Sequence, residues 1–256
     1  MSSGHGGVVG RAFTAQADGY NSSAVANSDA ILEAIVAHAA PRPGERWLEA
    51  ACGPGIVARR LAPRVGSVHG IDLTPAMMEL ARREAARAGL DHVSFEVGDA
   101  TATGLADASF DGAVTRFSIH HLPVPGRLLV ELARLVRPGG TIVVVDHLAD
   151  EAAHARAWSQ EIERLRDPSH WATLDDGELR ALGEHAGLRF EREHRARFEL
   201  DFDDWLRRGT DDPAAHELVA LALADRPPGI ERFVVGERDG GRVLTLEMWL
   251  GVWRRT

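Results

Sequence analysis

The stretch Trp47-Leu-Glu-Ala-Ala-Cys-Gly-Pro-Gly55 closes an apolar run and opens a helical pattern, and its reading decides the fold. Glycines at 53 and 55 permit a sharp strand-to-helix turn and let a ligand approach the backbone with no Cβ in the way. Such a turn can hold an adenosine-bearing cofactor. Glu49, near the end of the strand, is placed to pair with a cationic ligand group, whereas a pyrophosphate would be repelled there.

Outward from this turn, strand and helix signals alternate. Arg46 to Ala51 reads as a strand, Ile56 to Leu61 as a helix, Val65 to Ile71 as a strand, Pro75 to Ala88 as a helix and Val93 to Val97 as a strand. Thr74 is a candidate N-cap before Pro75, and Gly89 closes that helix. Phe110 to Thr115 is a fourth strand, Arg127 to Val136 a helix ended by Pro138-Gly-Gly140, and Thr141 to Asp146 a fifth strand. The order βαβαβ with continuing alternation predicts a doubly wound parallel sheet. After Asp146 the pattern turns helical from Ala149 to Arg166 and from Asp176 to Ala186, with a strand at Leu188 to Phe198. Short helices follow around Trp205 and at Ala214 to Leu223, and Val243 to Trp253 alternates as a final strand. Glu231 to Val235 is a possible hairpin partner for it across Asp239-Gly-Gly241.

Composition narrows the function classes. The 256 residues suit one α/β core with an attached cap, so residues 11–256 read as a single domain behind a disordered Gly/Ser-rich tail at 1–10. Cap elements are expected from 11–40 and from about 149–240. The 29 basic residues against 38 acidic ones leave a net charge of −9, which disfavours nucleic acid as a partner. Every basic residue is arginine, so a Schiff-base lysine and the lysine of a phosphate-binding P-loop are both excluded. The lone Cys52 can form neither an intramolecular disulfide nor a cysteine-rich zinc site, which fits a reducing, cytoplasmic setting. No apolar run is long enough for a membrane span and no signal core is visible, so a soluble protein is expected.

Three acids stand at the carboxyl ends of successive strands: Glu49, Asp72 and Asp99. In a doubly wound sheet these ends line the ligand crevice. Asp72, 19 residues after Gly53, is spaced to take both ribose hydroxyls, Asp99 can accept from an exocyclic amine, and Glu49 faces the remaining, cationic end.

These segments resemble the class I S-adenosylmethionine-dependent methyltransferases. Leu48-Glu-Ala-Ala-Cys-Gly-Pro-Gly55 is similar to their glycine-rich first motif, and Val68-His-Gly-Ile-Asp-Leu-Thr-Pro-Ala-Met-Met-Glu-Leu-Ala81 to the ribose-binding second. Val97-Gly-Asp-Ala100 resembles the adenine-site motif, and Leu135-Val-Arg-Pro-Gly-Gly140 the turn before strand five. The likeness is nearest to the small-molecule branch that includes the quinone-biosynthesis C-methyltransferases, and covers about residues 10–190. It implies a Rossmann-like, seven-stranded, mostly parallel sheet with an antiparallel last strand and a helical cap. It also implies S-adenosylmethionine as cofactor, held by Tyr20, Glu49, Ala51, Gly53, Gly55, Asp72, Leu73, Met77, Asp99, Ala100 and Arg116. Ala51 stands where the family usually has glycine, and fits if its φ is negative.

The acceptor implied is a small, ring-bearing metabolite. The segment Arg116-Phe-Ser-Ile-His-His-Leu122 follows strand four and, by the resemblance, passes the transferable methyl. General-base candidates are His121, His120 and His170, with Asp146 and His147 weaker. Successive side chains diverge in regular structure, so the pair is expected to split, His121 facing the pocket and His120 serving the structure. These histidines and acids do not read as a metal-ligand set, and methyl transfer needs no Lewis acid, so no metal is expected. Phe13 and Tyr20 are candidates for an N-terminal lid, and Trp158, Trp171 and Trp205 for an acceptor wall or for core. Two other readings stay open. Gly53-Pro-Gly-Ile-Val-Ala58 formally satisfies the nicotinamide dehydrogenase fingerprint, and the pocket could serve a regulator or cyclase that binds the cofactor without methylating. The oligomeric state is open, a homodimer included.

Overall fold

Residues 4–22 and 27–256 are described in the computed structural model of the protein, the side chains of 18–22 excepted. Five strands run parallel: β1 (Arg46–Ala50), β2 (Ser67–Asp72), β3 (Val93–Val97), β4 (Phe110–Arg116) and β5 (Val136–His147). With β6 (Leu188–Asp201), β7 (Phe233–Arg238) and β8 (Gly241–Arg255) they form an eight-stranded sheet in the order β3-β2-β1-β4-β5-β8-β6, with β7 beside β8. The mostly parallel, doubly wound sheet is as the alternation predicts. Its eighth strand, one more than the resemblance implies, is the hairpin partner β7, joined to β8 by Asp239 and Gly240 at φ 53° and 80°. Two successive positive φ values are what a tight primed turn requires.

The central strands carry apolar side chains on both faces because helices cover both. One core cluster joins α2 (Asp29–Ala39), α3 (Ile56–Leu61) and α4 (Pro75–Arg87) to the sheet, and a second lies under α5 (Gly126–Leu135) and α7 (Asp176–His185). A third joins α6 (Ala153–Arg166), α8 (Phe202–Gly209) and α9 (Pro213–Ala224) to the outer halves of β6 to β8. Strand β8 threads all three, giving Met248, Leu250 and Val252 to the first, Trp249 and Trp253 to the second, and Leu244 and Leu246 to the third.

Two expectations are corrected. Residues 5–10 are no tail, since α1 (His5–Ser22) begins at His5 and carries Val9 and Phe13 on the side that meets the sheet edge. The spacing of Val9, Phe13 and Ala17 gives an inward stripe whose packing outweighs the poor helix propensity of Gly6, Gly7 and Gly10. Strand β5 starts at Val136 and not Thr141, with a register shift opposite Phe110 and Gly112 that absorbs the Pro138-Gly-Gly140 segment. Among the described residues, no helix is long and apolar enough to cross a membrane.

Register brings the site together. Glu49 lies beside Gly70 and Val114, Asp72 beside Val97, and Arg116 beside Val145, so the carboxyl ends of five strands open onto one edge. The close packing of β1 on β4 gives a direct test. A Cβ added to Gly112 would lie 2.5 Å from the Trp47 ring, so Gly112→Ala should cost about 1 to 3 kcal/mol, read as a lower denaturant midpoint. Gly236→Ala, whose added Cβ meets nothing within 4 Å, should stay within about 0.5 kcal/mol of the parent.

Candidate functional site

The loop after β1 alternates left-handed residues, with φ 51° at Ala51, 48° at Gly53 and 70° at Gly55. Ala51 therefore does not have the negative φ its side chain would favour, and this position costs on the order of 1 kcal/mol. The coil is held from two sides. Asp72 Oδ2 accepts from the Gly53 amide at 2.8 Å and Oδ1 from the Thr74 amide at 2.9 Å, while Glu49 Oε2 accepts from the Ala58 amide in the first turn of α3 at 2.6 Å. Helix N-termini at such turns bind pyrophosphate in dinucleotide folds. Here a carboxylate already sits on that end, which argues against the nicotinamide reading.

Glu49 is 3 % exposed. Burial raises its pKa from 4.5 to about 7, against the opposing pull of the Ala58 amide and the Arg116 guanidinium. Burial likewise raises Asp72, and pushes the Cys52 thiol well above its ordinary value with help from the Glu49 and Asp72 charges, so that this cysteine is unreactive.

A cavity of about 180 Å3 opens over the coil. It is lined by Glu49, Ala51, Gly53, Asp72, Leu73, Met77, Asp99, Ala100, Arg116 and His121 of the expected set, together with Cys52, Phe117, Ser118 and the segment from Leu122 to Leu128. Asp99 is exposed at the rim, its Oδ1 accepting from the Thr101 amide and hydroxyl, and Leu73 leaves 41 % of its surface free beside it. Gly55 is not on the wall: an added Cβ there would strike the Phe95 ring at 2.5 Å, so this glycine serves the turn. Tyr20 lies near the end of α1 with its side chain outside the described residues. The roof is α1, through His5, Gly6, Val9 and Phe13, fastened by a His5 Nε2 hydrogen bond to the His121 carbonyl at 3.0 Å. Only Phe13 of these was visible in the sequence as a lid residue.

A buried carboxylate that is hard to ionise, beside open backbone at Gly53, suits a cationic group. Acceptors at Asp72 and Asp99 beside an exposed leucine suit a ribose and an adenine. The donor set fits S-adenosylmethionine.

Beyond the first cavity lies a second of about 100 Å3. Phe13, Phe117 and His121 border both, and Phe117 is held at φ 51° with its amide on the Val145 carbonyl. The second is walled by Phe198, Leu200, Trp205 and Leu246 on one side and by His120, His147, Glu163 and Asp167 on the other. Trp158 is instead in the third core cluster, and Trp171 is exposed with its edge on His5.

The histidines do not separate as neighbouring residues in regular structure would. Ile119–His121 form one turn of 3-10 helix, both rings reach the second cavity, and their centroids are 4.1 Å apart. His120 Nδ1 donates to Asp146 Oδ1 at 2.7 Å, and the His147 ring and amide approach the same oxygen at 3.2 and 2.8 Å. Burial would raise Asp146, but His120 and His147 hold it well below the usual carboxylate range. His121 Nδ1 donates to the Ser169 carbonyl at 3.1 Å, and burial together with the His120 ring drives its pKa down to about 3. His170 lines neither cavity. It stacks on His120 at 5.7 Å, donates from Nε2 to Gln160 Oε1 at 2.8 Å, and is held far below its ordinary range, first by burial and then by the other histidines. The expectation that these groups form no ligand set fails on geometry, since His120, Asp146 and His147 each offer an atom within 4.8 Å of the others.

Comparison with known proteins bears on the fold and its family. The methyltransferase domain family matches residues 48–144. The uncharacterized methyltransferase YcgJ of Bacillus subtilis is 28 % identical over 197 residues, 77 % of this chain and 78 % of that one. A solved structure described as a candidate methyltransferase from Bacillus halodurans superimposes with a TM-score of 0.82 at 26 % identity, covering 88 % of this chain and 99 % of that chain. Over residues 48–144 the chain is a methyltransferase domain, and its fold is that of the class I S-adenosylmethionine-dependent methyltransferases. A ubiquinone/menaquinone biosynthesis C-methyltransferase of Roseobacter denitrificans is 35 % identical over 117 residues, 44 % of this chain and 47 % of that one.

With the cofactor's cationic end placed beside Glu49, the raised pKa of this carboxyl predicts pH-dependent binding. Its raised pKa means that it favours the ligand-free fold fully below about pH 4.5 and loses that contribution, roughly 3 kcal/mol, as pH rises through about 7. A cation beside it restores the ionised form. Affinity for S-adenosylhomocysteine, measured by calorimetry, should therefore climb by nearly tenfold per pH unit up to about pH 7 and then level off. Glu49→Gln should bind weakly with no such slope, and a wild-type affinity flat from pH 5 to about 8 would contradict the assignment.

Proposed function

We propose that this methyltransferase acts on a small, ring-bearing acceptor in the second cavity, with His120 as the general base and Asp146 as the group that orients it. The observation that carries the reading is the buried Asp146–His120 pair at 2.7 Å, whose His120 ring lines a cavity that shares Phe13, Phe117 and His121 with the cofactor cavity. With Nδ1–H donated to an ionised Asp146, the His120 ring keeps Nε2 free to accept a proton. His121 is the weaker base, because a ring with pKa about 3 gives little driving force for proton abstraction at neutral pH. This moves the base from the sequence's first choice, His121, to its neighbour, and leaves His170 as a ring packed behind it.

S-adenosylmethionine supplies an electrophilic methyl group on a sulfonium sulfur. In this reading Glu49 takes the cationic end of the ligand, Asp72 the ribose hydroxyls and Asp99 the adenine amine. Phe13, Phe117 and His121 form the partition between cavities, where aromatic faces attract a cation and α1 keeps water out. The acceptor enters from the cap side, its ring against Phe198 and Trp205, and its reacting atom loses a proton to His120 Nε2. Positioning contributes about 7 to 11 kcal/mol in reactions of this kind and a base about 3 to 5, so the shape of the partition outranks the histidine. The likeness of part of the chain to a ubiquinone/menaquinone biosynthesis C-methyltransferase is compatible with a ring-bearing acceptor.

Kinetics with a competent acceptor test the assignment. His120→Ala should lower kcat by about 10² to 10⁴ with S-adenosylhomocysteine affinity unchanged, while His121→Ala should lose less than about tenfold. A collapse confined to His121→Ala would reverse the roles.

Asp72→Ala should weaken S-adenosylhomocysteine by roughly 10 to 150-fold for each charge-assisted bond lost. Unaltered binding in a folded variant removes Asp72 from the site. Methyl transfer should also proceed fully in a chelator, and a strict magnesium requirement would point to a different chemistry.

A further inference from the structure

His120, Asp146 and His147 form a set of two imidazoles and one carboxylate, all buried, around a single carboxylate oxygen. Donor separations from Asp146 Oδ1 are 2.7 Å to His120 Nδ1 and 3.2 Å to His147 Nδ1. Ligands about 2.0 to 2.2 Å from one tetrahedral ion lie about 3.4 Å apart, so an ion replacing the two hydrogen-bonded protons requires the His120–Asp146 contact to widen by about 0.7 Å, with all three ligand atoms already within 4.8 Å of one another. The outer partners are in place as well. His147 Nε2 is 3.1 Å from the Thr173 hydroxyl and 3.7 Å from Glu163, which can hold a proton on that nitrogen and turn Nδ1 toward the ion. His120, His147 and Glu163 also line the second cavity, which gives the ion a way in and leaves room for a water as fourth ligand.

We propose that these three side chains bind a zinc-type divalent cation and that its binding switches methyl transfer off; the second part rests on the reading of His120 as the base. Imidazole and carboxylate together suit zinc or cobalt better than magnesium. With Nδ1 of His120 on the metal, its remaining ring proton resides on Nε2, the atom that must otherwise accept the acceptor's proton. The protein is then an enzyme whose base is free only when the site holds protons instead of metal. This cation inhibits the reaction and takes no part in it, so activity in a chelator and inhibition by zinc are consequences of the same three residues.

Cobalt(II), which reports its ligand geometry by visible absorption, tests the site in the intact chain. One equivalent should give an intense tetrahedral band that zinc displaces. The band should be lost in Asp146→Asn and in His147→Gln, both checked for folding by S-adenosylhomocysteine binding. Absence of the band, or its persistence in both folded variants, overturns the site and leaves the base assignment standing. Zinc at the same stoichiometry should abolish turnover until a chelator is added. A triad that binds cobalt while turnover in zinc is unimpaired overturns the inhibitory link and, with it, His120 as the base.

Discussion

A carboxylate buried on the first turn of a short helix organises this protein. Glu49 ends β1, accepts the Ala58 amide at the start of α3, and so fixes the angle at which the chain leaves the sheet. The contact accounts for three properties at once. It satisfies a helix N-terminus that would otherwise attract phosphate. It closes a coil in which Ala51, Gly53 and Gly55 all take positive φ, a conformation that alanine resists. It also leaves in the cavity floor a carboxyl whose pKa burial raises to about 7. The same side chain therefore fixes the turn and places a carboxyl in the cavity, and Asp72, reaching back from β2 to the Gly53 amide, locks the coil from the other side.

The first half of the architecture was legible because its signals are local. Glu49 lies one residue before the end of β1, Asp72 ends β2, Asp99 follows β3 and Arg116 ends β4, and parallel register brings these strand ends to one edge of the sheet. What was not legible depends on tertiary packing. The N-terminal helix hides behind three glycines and shows its purpose only where Val9 and Phe13 meet the cavity. The positive φ at Ala51 belongs to a coil that Asp72 and Glu49 hold through the Gly53 and Ala58 amides that follow it, information that no propensity contains. Gly55 matched the glycine motif yet contacts Phe95, because the same residue type serves a turn and a ligand equally well in a pattern.

The histidines show the same limit more sharply. Adjacent residues diverge in a strand or an α-helix, but a single 3-10 turn lets His120 and His121 share a cavity while taking different partners. Those partners are Asp146, 26 residues beyond His120 on β5, and the cap residue Ser169. The cap thus contributes through position: its loop supplies the Ser169 carbonyl to His121 and sets His170 against His120, beside the ring that Asp146 holds.

The central claim, that a buried and largely protonated Glu49 becomes ionised when the cofactor's cationic end arrives, is tested most directly by counting protons. Calorimetry of S-adenosylhomocysteine binding at pH 6, in two buffers that differ in ionisation enthalpy, measures the protons released per ligand bound. A carboxyl whose pKa falls from about 7 to well below 6 releases nearly one proton, and Glu49→Gln should release none. Identical binding enthalpies in both buffers for the wild-type protein would contradict the account.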